Sequence, residues 1–113
     1  AEGRSGNKTN VLCYMDLDHF KTVNDVCGHA AGDELLKQIS DLFSKRIRSS
    51  DKLARMGGDE FAILLTGCSV GRAKVVLGRI LEDIGSYRFT WDQNSFSVGV
   101  SMGAVEFDSH LHR

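Results

Sequence analysis

The sequence predicts a single α+β domain whose elements run in the order β-α-α-β-β-α-β-β. Three observations carry that prediction. Apolar runs of strand length, Val11 to Met15 and Phe61 to Leu65, are bounded by charge and glycine. Two longer stretches, from Asp33 to about Ser49 and from Ala73 to Ile84, repeat their apolar residues at the helical period. Short turn signals, Gly57-Gly58-Asp59 and Asp92-Gln93-Asn94, join strand-like segments into hairpins.

The totals bound the possibilities. A chain of 113 residues supports one core and is too short for two. With 42% hydrophobic residues, 26% charged and a net charge of -1, there is no electrostatic case for nucleic acid or membrane as a partner. No apolar run is long enough to span a bilayer and no secretory pattern is present, so a soluble, cytoplasmic domain is expected, any membrane anchor belonging elsewhere in a parent protein. Cys13, Cys27 and Cys68 are odd in number, lack CxxC spacing and lie in or beside apolar runs, which favours reduced structural thiols over disulfides or zinc.

Taken in order, residues 1–10 read as a loose lead-in or an expression remnant. The strand Val11 to Met15 runs straight into Asp16-Leu17-Asp18. An acid at the carboxyl end of a buried strand is held rigidly while its tip reaches solvent, a common setting for a ligand or metal group. Asp18 has a second explanation, as N-cap of the helical turn from His19 to Asn24. Asp16 has none. In that turn Phe20 and Val23 point inward, and Lys21 and Asn24 share the opposite edge, suited to a phosphate and a base edge or simply to solvent. Gly28-His29 and Gly32-Asp33 punctuate the chain, and Asp33 opens the long helix either as a capping acid or as a ligand. His29 is open between the two roles. The core-facing residues of this helix are Leu35, Leu36, Ile39, Leu42, Phe43 and Ile47, and its end in Lys45-Arg46-Ile47-Arg48 suits the macrodipole.

Lys52 to Met56 is a short mixed strand, and Phe61 to Leu65 is continuously apolar, as in a strand buried on both faces. Glycine at the bend between them serves two ends, accepting a positive φ and letting a bulky ligand lie against bare backbone. Asp59 and Glu60 directly after the glycines suit a metal-bound phosphate, while an ordinary hairpin with solvated acids is the alternative. Thr66-Gly67-Cys68-Ser69 then turns the chain, Ser69 capping a helix through Ala73, Val76, Leu77, Ile80, Leu81 and Ile84 that stops at Gly85-Ser86. Arg88 to Trp91 and Ser95 to Val105 are strand-like, the latter so rich in small residues that close packing against it is expected.

Laid out this way, the chain resembles the GGDEF-domain family, the diguanylate cyclases, from about Val11 to Val105. The central match is Arg55-Met56-Gly57-Gly58-Asp59-Glu60-Phe61, and it is preceded at consistent spacing by Asp16-Leu17-Asp18-His19-Phe20-Lys21, Asn24-Asp25, Gly28-His29 and Gly32-Asp33-Glu34. The resemblance implies a palm-like nucleotidyl cyclase fold, a ferredoxin-like α-β plait with a mostly antiparallel central sheet, Asp16 and the hairpin tip lying on adjacent strands. It implies condensation of two GTP into cyclic di-GMP with release of two pyrophosphates, by a homodimer under product feedback. Asp16, the backbone carbonyl of Leu17 and Asp59 would hold magnesium or manganese, two ions per site; the carboxylates and carbonyl are the hard oxygen donors such ions take. Asp59 matches the proton acceptor, with Glu60 as acidic neighbour. Lys21 matches the residue that offsets charge on the phosphates. Asn24, His29 and Asp33 match the substrate-recognition positions, and Gly57 and Gly58 let GTP cross the hairpin. Arg48-Ser49-Ser50-Asp51 matches the RxxD inhibitory site, where Arg48 and Asp51 would grip the product. The helix C-terminus is the alternative account of that basic residue.

The chain departs from the family pattern at both ends. Residues 1–10 carry neither the usual Asp-x-Leu-Thr block nor its helix, and a final helix and strand with basic residues is missing beyond Arg113. The expectation is therefore a GGDEF domain over residues 11–113, incomplete at both ends, from a larger signalling protein with a sensor module. Phe89 to Phe107 resembles GGDEF domains that precede an EAL phosphodiesterase domain. Two functions follow, an active cyclase or a catalytically silent regulatory module that binds GTP or cyclic di-GMP within a GGDEF-EAL protein. The unaltered hairpin motif favours the first.

Overall fold

The computed structural model describes residues 9–108. Its central strand, β1 (Thr9–Asp18), is longer than the apolar run at both ends. Val11, Cys13, Met15 and Leu17 are buried, whereas Tyr14, 51% exposed, and Asp16 face the other way, so β1 is buried on one face only. Thr9 and Asn10, assigned to the lead-in by composition, belong to the strand. The Thr9 carbonyl accepts from the Cys68 N–H at 2.6 Å, and Asn10 Oδ1 accepts from the Gly67 N–H at 3.0 Å. The remainder of that lead-in lies outside the described residues.

β1 pairs antiparallel with β3 (Glu60–Leu65) on one side and along its whole length with β6 (Gly99–Asp108) on the other. With β2 (Lys52–Arg55) at the edge, the sheet runs β2-β3-β1-β6 and is antiparallel throughout. Three helices accompany it among the described residues, α1 (Phe20–Cys27), α2 (His29–Ser44) and α3 (Val70–Ser86). Leu35, Leu36, Ile39 and Phe43 of α2 and Ala73, Leu77, Ile80 and Ile84 of α3 recur at helical spacing and join the buried residues of β1 and β3 in one core. At its centre Phe43 and Phe61 meet edge to face, with ring centroids 5.3 Å apart. This is the α+β, palm-like arrangement expected. No helix among the described residues is long and apolar enough to cross a membrane.

Several boundaries differ from the sequence expectation, each for a local reason. Gly28, at φ 95°, separates α1 from α2, so the long helix restarts at His29 and Asp33 lies inside it instead of capping it. Asp18 does not cap α1, because Gly99 pairs with it across β1 and β6; the capping position falls to His19, at φ 71°. Helix α2 ends at Ser44, so Arg46 lies beyond it and forks onto Asp83 of α3 at 2.6 and 2.8 Å. The stretch from Ser95 to Val105 is not one strand. β5 (Asn94–Ser97) pairs with β4 (Arg88–Trp91) in a separate two-stranded sheet, and buried Val98 turns the chain into β6, which gives nine elements among the described residues. Leu81 is exposed, outside the core. Ser69 caps α3 as expected, its Oγ accepting from the Arg72 N–H at 3.2 Å.

Candidate active site

Strand register brings the carboxylates together. Asp16 lies directly opposite Glu60 on β3 and Ser101 on β6, so the three form one row on the face away from the helices. Like charges directly opposite are unfavourable in an antiparallel pair, and no cationic side chain among the described residues pairs with Asp16, Asp59 or Glu60. The hairpin tip is fixed to the end of β1, the Asp59 carbonyl accepting from the Leu17 N–H at 2.9 Å and the Glu60 carbonyl from the Met56 N–H at 2.8 Å. Leu17 is 3% exposed and its side chain sits in the core, so only its backbone can serve a ligand. Among the described residues no three His, Cys, Asp or Glu side chains form a metal cluster on their own. A few carboxylates completed by a carbonyl and substrate oxygens are what magnesium takes, and the uncompensated row fits such a cation. A cavity of about 620 Å³ opens over it, lined by Tyr14, Asp16, Met56, Glu60, Ser101 and Gly103 among others.

Neither glycine of the hairpin takes the positive φ expected at the bend. Positive φ among the glycines falls on Gly28 and Gly67, not on Gly57 or Gly58. A Cβ on Gly57 would stand 3.1 Å from Glu60 Oε1, so this glycine makes room for the carboxylate. Gly58 has nothing within 4 Å of that position and presents bare backbone. Close packing against the small residues of β6 occurs at Gly99, whose Cβ position is 3.1 Å from Asp18 Oδ2, and Ser101 Oγ donates to Asp18 Oδ1 at 3.2 Å.

Lys21, Asn24, His29, Asp33, Arg48 and Asp51 do not line the Asp16 cavity. Lys21 is 87% exposed in its side chain and ion-pairs with Asp25 at 3.3 Å, one turn along α1. Asn24 does not share that exposed edge; its amide turns toward α2, where Oδ1 is buried with no hydrogen-bond partner among the described residues. His29 is exposed at the start of α2. Asp33 lines a second recess of about 440 Å³ with Leu36, Lys37, Ser40 and Arg55, apart from the Asp16 cavity. Sequence reasoning gave no role to Arg55 or Ser101. Their positions follow from strand register, which no local spacing encodes.

Arg48 and Asp51 form a tight loop. Asp51 is 7% exposed, and its carboxylate accepts from the Arg48 N–H at 2.8 Å, the Thr66 N–H at 3.1 Å and the Arg48 guanidinium at 3.3 and 3.4 Å. Burial works against its charge, but these hydrogen bonds and the Arg48 charge together hold it below the usual carboxylate range. Arg48 also donates to the Thr66 carbonyl. The pair therefore stitches the α2–β2 connection to the end of β3. The three thiols are free; burial pushes Cys13 up to about 11 and raises Cys68, which keeps both neutral.

An antiparallel sheet backed by helices, with carboxylates paired across its central strands, is the palm-like arrangement that the resemblance implied. The chain belongs to the GGDEF family, whose model, diguanylate cyclase, GGDEF domain, matches residues 1–113. It is 43% identical over 109 residues to the probable diguanylate cyclase DgcE of Escherichia coli, covering 96% of this chain and 10% of that protein. Among solved structures, the Pseudomonas aeruginosa diguanylate cyclase SiaD, in complex with its activator SiaC, superposes with a TM-score of 0.82 at 33% identity over 88% of this chain and 38% of that one. The GGDEF domain of Caulobacter crescentus DgcB, in complex with c-di-GMP, gives a TM-score of 0.82 at 26% identity over 88% of this chain and 60% of that one. The chain spans a tenth of the length of DgcE and 29% of the Bacillus subtilis relative YhcK.

Proposed function

We propose that the domain condenses two GTP into cyclic di-GMP with release of two pyrophosphates. The observation that carries this is the Asp16–Glu60 pairing on β1 and β3, with the Asp59 backbone bonded to Leu17 beside it. Asp16, the Leu17 carbonyl and Asp59 would hold two magnesium or manganese ions, which when bound lower the pKa of a 3′-hydroxyl and neutralise phosphate charge. The Asp59 carboxylate takes the proton of that hydroxyl, with Glu60 sustaining the negative field around it. The 3′-oxygen then bonds to the α-phosphorus of the second GTP as pyrophosphate leaves in line. Lys21, held among the described residues by an exposed ion pair, swings from Asp25 to the phosphates. Asn24 and Asp33 read the guanine edge with His29 beside them, and Gly58 lets the nucleotide lie on bare backbone. Two half-sites must face each other, so the active species is a homodimer in the cytoplasm. Arg48, with Asp51, supplies product feedback.

The second reading is a module that binds GTP or cyclic di-GMP without turnover, inside a larger protein with sensor and EAL domains. It is favoured by the separation of the Asp33 recess from the Asp16 cavity. Mass spectrometry of the products formed from GTP and magnesium, with Asp59→Ala alongside, distinguishes them. Cyclic di-GMP from the wild type, with the variant reduced at least about 100-fold, is expected. Bound but unchanged GTP at high protein concentration would move the assignment to the binding module.

A further inference from the structure

Gly28 is the single residue joining helices α1 and α2, and that corner brings Asn24 against Gly32. The Gly28 N–H donates to the Asn24 carbonyl at 2.8 Å, and the Gly28 carbonyl accepts from the Gly32 N–H at 3.2 Å. Gly32 is buried in ordinary helical backbone, where glycine is disfavoured relative to alanine and no left-handed φ calls for it. The space its side chain would fill is occupied by Asn24. A Cβ on Gly32 would lie 1.9 Å from Asn24 Oδ1 and 2.9 Å from its Cγ, a collision that holds whichever amide atom points inward. Asn24 Oδ1 has no hydrogen-bond partner among the described residues, so the amide is held there by shape and not by bonding.

We infer that Gly32 is a positioning residue for base recognition: by lacking a side chain it seats the Asn24 amide, and that seat sets the preference for guanine. The inference rests on the reading of Asn24 and Asp33 as base contacts. With Oδ1 turned under Gly32, Nδ2 of the same amide is the atom left to donate, and Asp33, the next residue along, exposes a carboxylate that accepts. Brought to one base edge, a donor from Asn24 and an acceptor from Asp33 would complement the O6 and the N1–H and N2–H groups of guanine. Adenine offers the reverse pattern and leaves both protein groups unpaired.

The test compares wild type, Gly32→Ala, Asn24→Ala and the double variant. Side-chain amide resonances of nucleotide-free protein report the seat, and equilibrium binding of GTP and of ATP with magnesium reports the preference. In Gly32→Ala the Asn24 amide signals are expected to move to free-amide positions, and the preference for GTP to fall at least about tenfold. In the Asn24→Ala background, adding Gly32→Ala should change the preference no further. Unmoved amide signals, an unchanged preference, or an equal loss in the Asn24→Ala background would overturn the inference. A wild type whose amide signals respond to Gly32→Ala but which binds GTP and ATP alike would instead show that the guanine reading itself fails, and the specificity role with it. Should Gly32→Ala not fold, recovery of folding in the double variant supports the collision, and failure to recover overturns it.

Discussion

A buried carboxylate stays ionised only where hydrogen bonds replace the water it has lost, and Asp51 has them from two backbone N–H groups and the Arg48 guanidinium. Its folded pKa is lowered, so its contribution to stability is complete above the ordinary carboxylate value of about 4 and is lost as pH falls through the lowered folded value. Asp51→Asn should therefore cost about 1–3 kcal/mol at neutral pH and flatten the acid limb of the stability curve. Urea unfolding of both proteins from pH 7 to pH 3 checks this, and parallel curves would sink it. The sequence shows Asp51 as the last residue of an RxxD match. It does not show the burial, because one of the donors, Thr66, lies fifteen residues away at the end of another strand. Asn24 illustrates the same limit: its place in the motif is legible, but its turn toward Gly32 depends on the angle between two helices.

Period and turn chemistry are local, so all three helices and the β2–β3 hairpin could be read from the chain, and pairing is not, so most boundary differences fall where a partner strand intervenes. Asp18 looks like a cap until Gly99 claims it for the sheet, and the Ser95 to Val105 run looks continuous until its two halves join different sheets. Where the decisive contact is local, the expectation stands. Ser69 caps α3 through one bond to the Arg72 N–H, and Ser69→Ala should destabilise the domain by about 1 kcal/mol without altering nucleotide affinity, since α3 lies away from the Asp16–Glu60 row. Paired thermal unfolding and GTP binding measurements test it; a loss of affinity at unchanged stability would mean that α3 bears on the site.

At the scale of the whole molecule, chemistry and architecture do not match one to one. The described residues hold one Asp16–Glu60 row, whereas the proposed product contains two equivalent phosphodiester bonds drawn from two GTP. In the proposed homodimer, symmetric pairing of two chains would supply the second row with no new residues, each chain contributing one nucleotide to a shared two-fold site. On that proposal a chain with Asp59→Ala is expected still to pair and carry GTP, but not to complete its half of the ring. In mixtures at fixed total concentration, with pairing complete, cyclic di-GMP formation should therefore fall with the square of the wild-type fraction. An equal mixture should retain about a quarter of the wild-type rate, because only that share of the pairs has two competent halves. A rate that falls in direct proportion, to about half, would mean that each chain works alone, and the homodimer would have to be abandoned.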